Sequence, residues 1–101
     1  VKLIYHDELD RFIDSLQKPA RAKLLRSFIL LEKYGHDLGM PHVKSLQKGM
    51  YELRIRGQQK ARAFFVFHHD KVVILHGFIK KTQKIPRVEW ETAKKRFRNL
   101  T

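Results

Sequence analysis

Cysteine is absent from the 101 residues, which removes disulfides, thiolate metal sites and cysteine nucleophiles together. Long apolar runs are missing too: nothing approaches the ~18 residues of a membrane span, and the first residues carry no signal-peptide h-region. A reducing, cytoplasmic setting is the expectation. There is no P-loop, no GxGxxG, no Ser/His/Asp spacing and no paired carboxylates placed for acid–base work, so nucleotide-dependent chemistry finds no support. Internal repeats, low-complexity tracts and linkers are lacking as well, and residues 1–101 read as one small domain.

Acidic side chains are scarce. Ten Asp and Glu face 22 Lys and Arg, a formal net charge of +12. The imbalance is local: residues 1–40 hold 7 basic and 6 acidic side chains, residues 41–101 hold 15 and 4. The first part reads as an ordinary amphipathic scaffold and the second as a surface for a polyanion.

Hydrophobic residues make up 43% and aromatics 11%, which suits a globular core rather than disorder. Lys2-Leu3-Ile4-Tyr5 reads as a short strand, and Asp7 as the N-cap of a helix with Leu9, Phe12, Ile13 and Leu16 at helical spacing. Pro19 suits the first turn of a second helix, which carries Leu24, Leu25, Phe28, Ile29 and Leu31 and stops at Gly35. A loop spans 36–49, with Gly39, Pro41 and Gly49. Tyr51 to Arg56 then alternates strictly, Lys60 to His68 forms a Phe-rich strand, and Lys71 to Ile79 is apolar on both faces, as a central covered strand is. Pro86 opens a last helix with Val88, Trp90, Ala93 and Phe97 inside and Lys94, Lys95, Arg96 and Arg98 outside. The layout is α+β: an N-terminal strand and a two-helix hairpin packed on a mostly antiparallel sheet, then a C-terminal helix.

Strand register makes the charges converge. A three-residue turn at 57–59 sets position 54 opposite 62 and 56 opposite 60, so Arg54, Arg56, Lys60 and Arg62 share a face away from Leu53, Ile55, Ala61 and Ala63. A two-residue turn would force Arg62 onto the apolar face, which is expensive. Like charges across a ladder repel, and a phosphate between the arginine forks resolves the conflict. A solvated polar face is the competing reading, and Glu52 in its midst counts against an anion site. The basic loop Lys80-Lys81-Thr82-Gln83-Lys84, running to a helix start at Pro86-Arg87, suits phosphate oxygens or, equally, mere solubility. Among Phe64, Phe65 and Phe67 at most one is expected to serve as a base-stacking platform, the rest being core.

The histidines argue against a metal. His68 and His69 are adjacent and point opposite ways in a strand, and neither His36 nor His42 has a helical i, i+4 partner or an acidic cluster. His76 reads as a hydrogen-bonded sheet histidine ahead of a general base. No metal and no cofactor is expected.

Three segments carry a resemblance: Gly49-Met50-Tyr51-Glu52-Leu53-Arg54, Ala61-Arg62-Ala63-Phe64-Phe65, and the "LHGFIKKTQKIP" stretch from Leu75 to Pro86. Together they resemble the HigB-type toxins of the RelE/ParE superfamily, with the order of elements agreeing over nearly the whole chain. The resemblance implies a type II toxin that cleaves mRNA in the ribosomal A site, held in check by a cognate HigA-like helix-turn-helix antitoxin. It also implies that Arg54, Arg62, Lys80 and Lys81 stand at the catalytic positions, with Arg56, Lys60, Thr82, Lys84 and Arg87 binding RNA around them. Glu52 stands where RelE itself has a basic residue, and the C-terminal tyrosine of RelE has no counterpart here, since Trp90 lacks a phenolic proton. The alternatives are a ParE-like toxin that binds DNA gyrase without cutting RNA, or a plain basic RNA-binding domain.

Overall fold

A computed structural model describes residues 1–39 and 42–100. Pro41, read above as part of a loop, lies outside them. Strands β1 (Lys2–Tyr5), β2 (Val43–Ser45), β3 (Tyr51–Ile55), β4 (Ala61–His68) and β5 (Lys71–Ile79) form one sheet in the order β1-β5-β4-β3-β2. β1 pairs with β5 in parallel, and the β2–β3, β3–β4 and β4–β5 pairs are antiparallel. Helices α1 (Glu8–Ser15) and α2 (Lys18–Tyr34) cover one face, and α3 (Arg87–Arg98) lies on the other. The α+β layout is as the sequence indicated.

The alternation of β3 and β4 sorts two cores. Leu53, Ile55, Ala61, Ala63, Phe65 and Ile74 face the helical hairpin, where they meet Leu9, Ile13, Leu24, Phe28 and Leu31. Small side chains on this face let α1 come close. At Gly77 an added Cβ would lie 2.4 Å from the Phe12 ring, so the glycine is required by the approach of that ring. On the opposite face Met50, Phe64, Val66, Val73, Leu75 and Phe78 pack around Ala93 of α3, with Trp90 stacked on Phe64 at 5.0 Å between centroids.

The β4–β5 connection is a two-residue turn in which His69 and Asp70 both have positive φ (50° and 62°), the geometry whose twist matches that of the flanking strands. Further along, the register slips: Phe64 pairs with His76 while Phe65 pairs with Ile74, leaving Leu75 as an extra residue. That bulge sends both Leu75 and His76 toward α3.

Several expectations need correction. The stretch read as a loop over 36–49 holds an edge strand, β2, and a 3₁₀ turn, Gln47–Gly49, and a further 3₁₀ turn, Gly35–Asp37, runs into its start. Asp7 precedes α1 but makes no side-chain cap, its backbone already being helical. Leu25 and Ile29 of α2 are exposed, and so is Val88 of α3. Arg96 points inward: its guanidinium donates to the Leu75 carbonyl (2.8 Å), approaches His76 Nδ1 and pairs with Glu8, tying α3 to the bulge and to α1. Phe64 and Phe65 are fully buried, and His36 stacks on Phe67 at 3.6 Å, so none of the three is an open platform for a base. No helix among the described residues is long and apolar enough to cross a membrane.

Candidate nucleic-acid interface

The polar residues of the α3 side fall toward the β3–β4 hairpin, beyond the apolar cluster. Ile55 pairs with Ala61 and Arg54 with Arg62, the register of a three-residue turn. Two arginines therefore stand directly opposite each other on neighbouring strands, an arrangement that by itself destabilises the ladder.

Glu52 answers part of that repulsion. Its carboxylate is only 2% exposed, and one oxygen, Oε1, accepts from Arg54 Nε at 2.9 Å and lies 3.8 Å from Arg62 Nε. Burial of a carboxylate in a sheet is tolerable only with partners of this kind. Arg62, 7% exposed, donates through Nη1 to the Ala61 carbonyl at 2.9 Å, with a longer contact to the Ile55 carbonyl. These bonds hold its plane fixed. Among the described residues its Nε has no hydrogen-bond acceptor, an orphaned buried donor of a kind that is normally satisfied. Burial lowers the Arg62 pKa, Glu52 opposes that shift, and Arg54 and Arg56 add to it.

Lys80 completes the cluster from β5. Its backbone N–H donates to the Lys60 carbonyl at 2.8 Å, which carries the end of β5 past the hairpin. The Lys80 pKa is lowered, first by burial and then by Arg62, Arg54 and Lys60, with Glu52 opposing. Arg54, Arg62 and Lys80 against one carboxylate leave two positive charges in excess, the complement of a phosphate that gains negative charge.

The structure thus gathers Arg54, Arg62 and Lys80, with Lys60 close enough to act on Lys80 electrostatically. Arg56 is exposed just past β3, and Lys23 donates to its carbonyl at 2.6 Å. Lys81 and Lys84 are exposed in the following loop, where the Thr82 hydroxyl donates to the Lys84 carbonyl (2.6 Å) and closes the turn. Arg87 sits apart, on the rim of a groove beside α3. His76 is hydrogen-bonded as expected, its Nε2 lying 2.7 Å from Glu89 Oε1.

Sequence reasoning undervalued Glu52. Strand alternation already put it on the face of Arg54, and that shared face was the available signal. Among the described residues no group of three or more His, Cys, Asp or Glu is arranged to hold a metal ion.

Residues 11–98 match the model of a family described as phage-derived protein Gp49-like (DUF891). No curated protein matches the chain by sequence. Among solved structures it is similar to a double arginine-to-alanine mutant of the Escherichia coli toxin RelE in the free state. That match has a TM-score of 0.69 and 11% identity, and covers 94% of this chain and 95% of that one. At such identity the likeness concerns the fold. The chain belongs to the Gp49-like family of phage-derived proteins and has the fold of the RelE toxin.

Proposed function

We propose that this protein is a HigB-type toxin of the RelE superfamily, a ribosome-dependent endoribonuclease that cuts translated mRNA in the A site. Its restraint would come from a HigA-like helix-turn-helix antitoxin, and its place of action is the cytoplasm, where ribosomes work. The observation that carries the reading is the Arg54–Glu52–Arg62 arrangement with Lys80 beside it: a fixed, partly buried, two-charge excess that includes an unsatisfied guanidinium N–H. The RelE fold and the Gp49-like family support the same class.

The chemistry follows from the charges. The 2′-oxygen of a ribose attacks the adjacent phosphorus, the bond to the 5′-oxygen breaks, and the products are a 2′,3′-cyclic phosphate and a 5′-hydroxyl. Arg54 and Arg62 stabilise the charge that builds on the non-bridging oxygens, as an oxyanion hole does at carbon. Lys80, with its pKa lowered, is the side chain suited to protonate the departing 5′-oxygen, while the 2′-hydroxyl proton leaves to solvent. Lys81 and Lys84 in the loop, together with Lys60 and Arg56, bind flanking phosphates. A ribosome that holds mRNA in an in-line geometry supplies the orientation this sparse set lacks, worth up to ~7–11 kcal/mol in well-aligned systems.

The test is induction from a tightly repressed promoter with mapping of mRNA 5′ ends. Cuts confined to translated codons, and lost in Arg54→Ala and Lys80→Ala proteins that still fold, support the proposal. Growth arrest with intact mRNA would move the assignment to a gyrase-binding toxin of the ParE kind. Absence of arrest would leave a basic RNA-binding domain. Co-expression with the product of the neighbouring open reading frame should give a complex and restore growth.

A further inference from the structure

Along α2 the spacing of Lys23, Arg26, Ser27 and Leu30 is i, i+3, i+4 and i+7, which sets them on one face of the helix. That face meets the end of β3 and the residue ahead of β2, where His42, Arg54, Ile55 and Arg56 close a small pocket of about 250 Å³. The lining is basic and holds no acid. Lys23, Arg26, His42 and Arg56 are exposed, and Arg54 is half-buried. Among the described residues neither Arg26 nor Arg56 is ion-paired with a carboxylate.

Two features give the pocket a fixed wall. Lys23 reaches across to the hairpin, its ammonium donating to the Arg56 carbonyl at 2.6 Å. Gly57 makes room for it, since an added Cβ would lie 2.8 Å from Lys23 Nζ, and the backbone there has φ 144°. Among the described residues this bond uses one of the three ammonium protons. The Ser27 hydroxyl gives its proton to the Lys23 carbonyl at 2.9 Å, and Leu30 and Ile55 have none to give. The side-chain donors left to a ligand therefore come from the basic residues alone.

A cavity of this size lies below the ~300–1,000 Å³ of sites for drug-sized molecules, so it suits a single small group. Cationic donors converging from three segments suit an anion with several acceptor oxygens. Arg54 indicates which anion. Its Nε is bonded to Glu52 in the arginine cluster, and the same residue lines the pocket, so the two places are contiguous. Arg56 is near enough to Arg62 to act on it electrostatically. Arg54 and Arg56 stand two residues apart on extended chain, ~6.6 Å, a step comparable to that between successive phosphates of a stretched single strand. A protein chain has no backbone charge to repeat at that step, whereas a nucleic acid has one per nucleotide.

We propose that this pocket is a second phosphate subsite, in which Lys23, Arg26 and Arg56 hold the RNA phosphate next to the scissile one. It carries the strand across the end of β3 toward α2. The inference deepens the nuclease reading and rests on it for the identity of the RNA.

The test is an NMR titration of the labelled protein with two short RNAs whose 2′-oxygens are methylated, so that neither is cut. The dinucleotide has one phosphate linkage and should shift chiefly the amides around Arg54 and Arg62. The trinucleotide has two, and should also shift those of Ser27, His42 and Arg56 while binding at least fivefold tighter. Arg26→Glu, at the surface, should abolish that gain and leave the thermal midpoint in place, and Arg26→Lys should keep most of it. The proposal is overturned if the trinucleotide leaves the Ser27 and His42 amides unmoved, or if the gain survives Arg26→Glu. Inorganic phosphate shifting these amides as strongly as the trinucleotide would overturn it too, by marking a site for a free anion. So would a glutamate-rich peptide that displaces the trinucleotide from the pocket, by marking a surface for a protein. Trinucleotide binding as expected with mRNA left intact in cells would count against the nuclease reading alone. Cut mRNA with an unresponsive pocket would count against the subsite alone.

Discussion

Replacing Glu52 by Gln tests the idea that one buried carboxylate holds two opposed arginines in place. The amide keeps the shape but removes the charge beside Arg54 Nε at 2.9 Å and Arg62 Nε at 3.8 Å. At an effective dielectric of ~20, Coulomb attraction is about 6 kcal/mol at the first distance and about 4 at the second, before desolvation offsets most of it. What remains is better judged from buried pairs that lose a partner, which destabilise by ~3–5 kcal/mol because a charge is left unpaired. Arg62 is the charge left unpaired here, since Arg54 is more exposed and relaxes toward water. In a domain of this size, where 1 kcal/mol moves the midpoint by ~4–8 °C, Glu52→Gln should lower Tm by well over ~10 °C. Urea unfolding followed by circular dichroism gives the free energy directly. Adding Arg62→Met to Glu52→Gln should recover part of the loss, because an apolar side chain of similar length leaves no orphaned charge. A Glu52→Gln protein within ~1 kcal/mol of wild type, or a double variant worse than the sum of the singles, would show that the carboxylate does not hold the two arginines in place.

Other outcomes follow from the same contacts. Gly77→Ala drives a Cβ into the Phe12 ring and should destabilise by ~1–3 kcal/mol, with Phe12→Leu in the same chain recovering much of it; equal stability of Gly77→Ala and wild type in urea would contradict the packing. Arg96→Met loses the bond to the Leu75 carbonyl and the pairing with Glu8, so stability should fall by ~1.5–3 kcal/mol and Trp90 emission should shift to the red as α3 loosens. If Lys80 supplies the proton as proposed, it does so only while charged, and its pKa is lowered, so RNA cleavage should decline with rising pH on a limb below the ordinary lysine value of ~10.4. The stability linkage has the matching sign: the lowered value means a charged Lys80 opposes folding, and that opposition lifts as pH rises through its folded pKa toward the unfolded value. A rate limb at or above ~10.4, or one that survives Lys80→Ala, would remove Lys80 from the proton transfer.

The sequence was most informative where one arrangement was physically excluded. Arg62 could not lie beside Ile55 and Ala61, so the hairpin register followed, and with it the meeting of Arg54 and Arg62. The two-sided apolarity of β5 gave its inner position between β1 and β4 in the same way. Strand β2 escaped notice because three residues, two of them exposed, are too few for an alternation to show. Leu25 and Ile29 fit the helical period yet lie outside, since a long helix carries more apolar positions than one contact face needs. Charged side chains misled most. Glu52 and Arg96 have the composition of solvent-facing residues, and only tertiary partners on other elements explain why one is buried and the other turned inward. The bulge at Leu75 belongs to the same class, because it depends on how β5 meets β4 and α3 together.

If the Arg54, Arg62 and Lys80 cluster breaks RNA by 2′-hydroxyl attack on ribosome-held mRNA, as proposed, reconstituted 70S ribosomes programmed with a labelled message will show it. Incubated with the purified protein, the message should be cut within the A-site codon, leaving a 2′,3′-cyclic phosphate on one fragment and a 5′-hydroxyl on the other. Lys80→Ala should slow that single-turnover rate by at least a hundredfold without loss of fold. Intact message, 5′-phosphate ends, or an unchanged rate in Lys80→Ala would contradict the account.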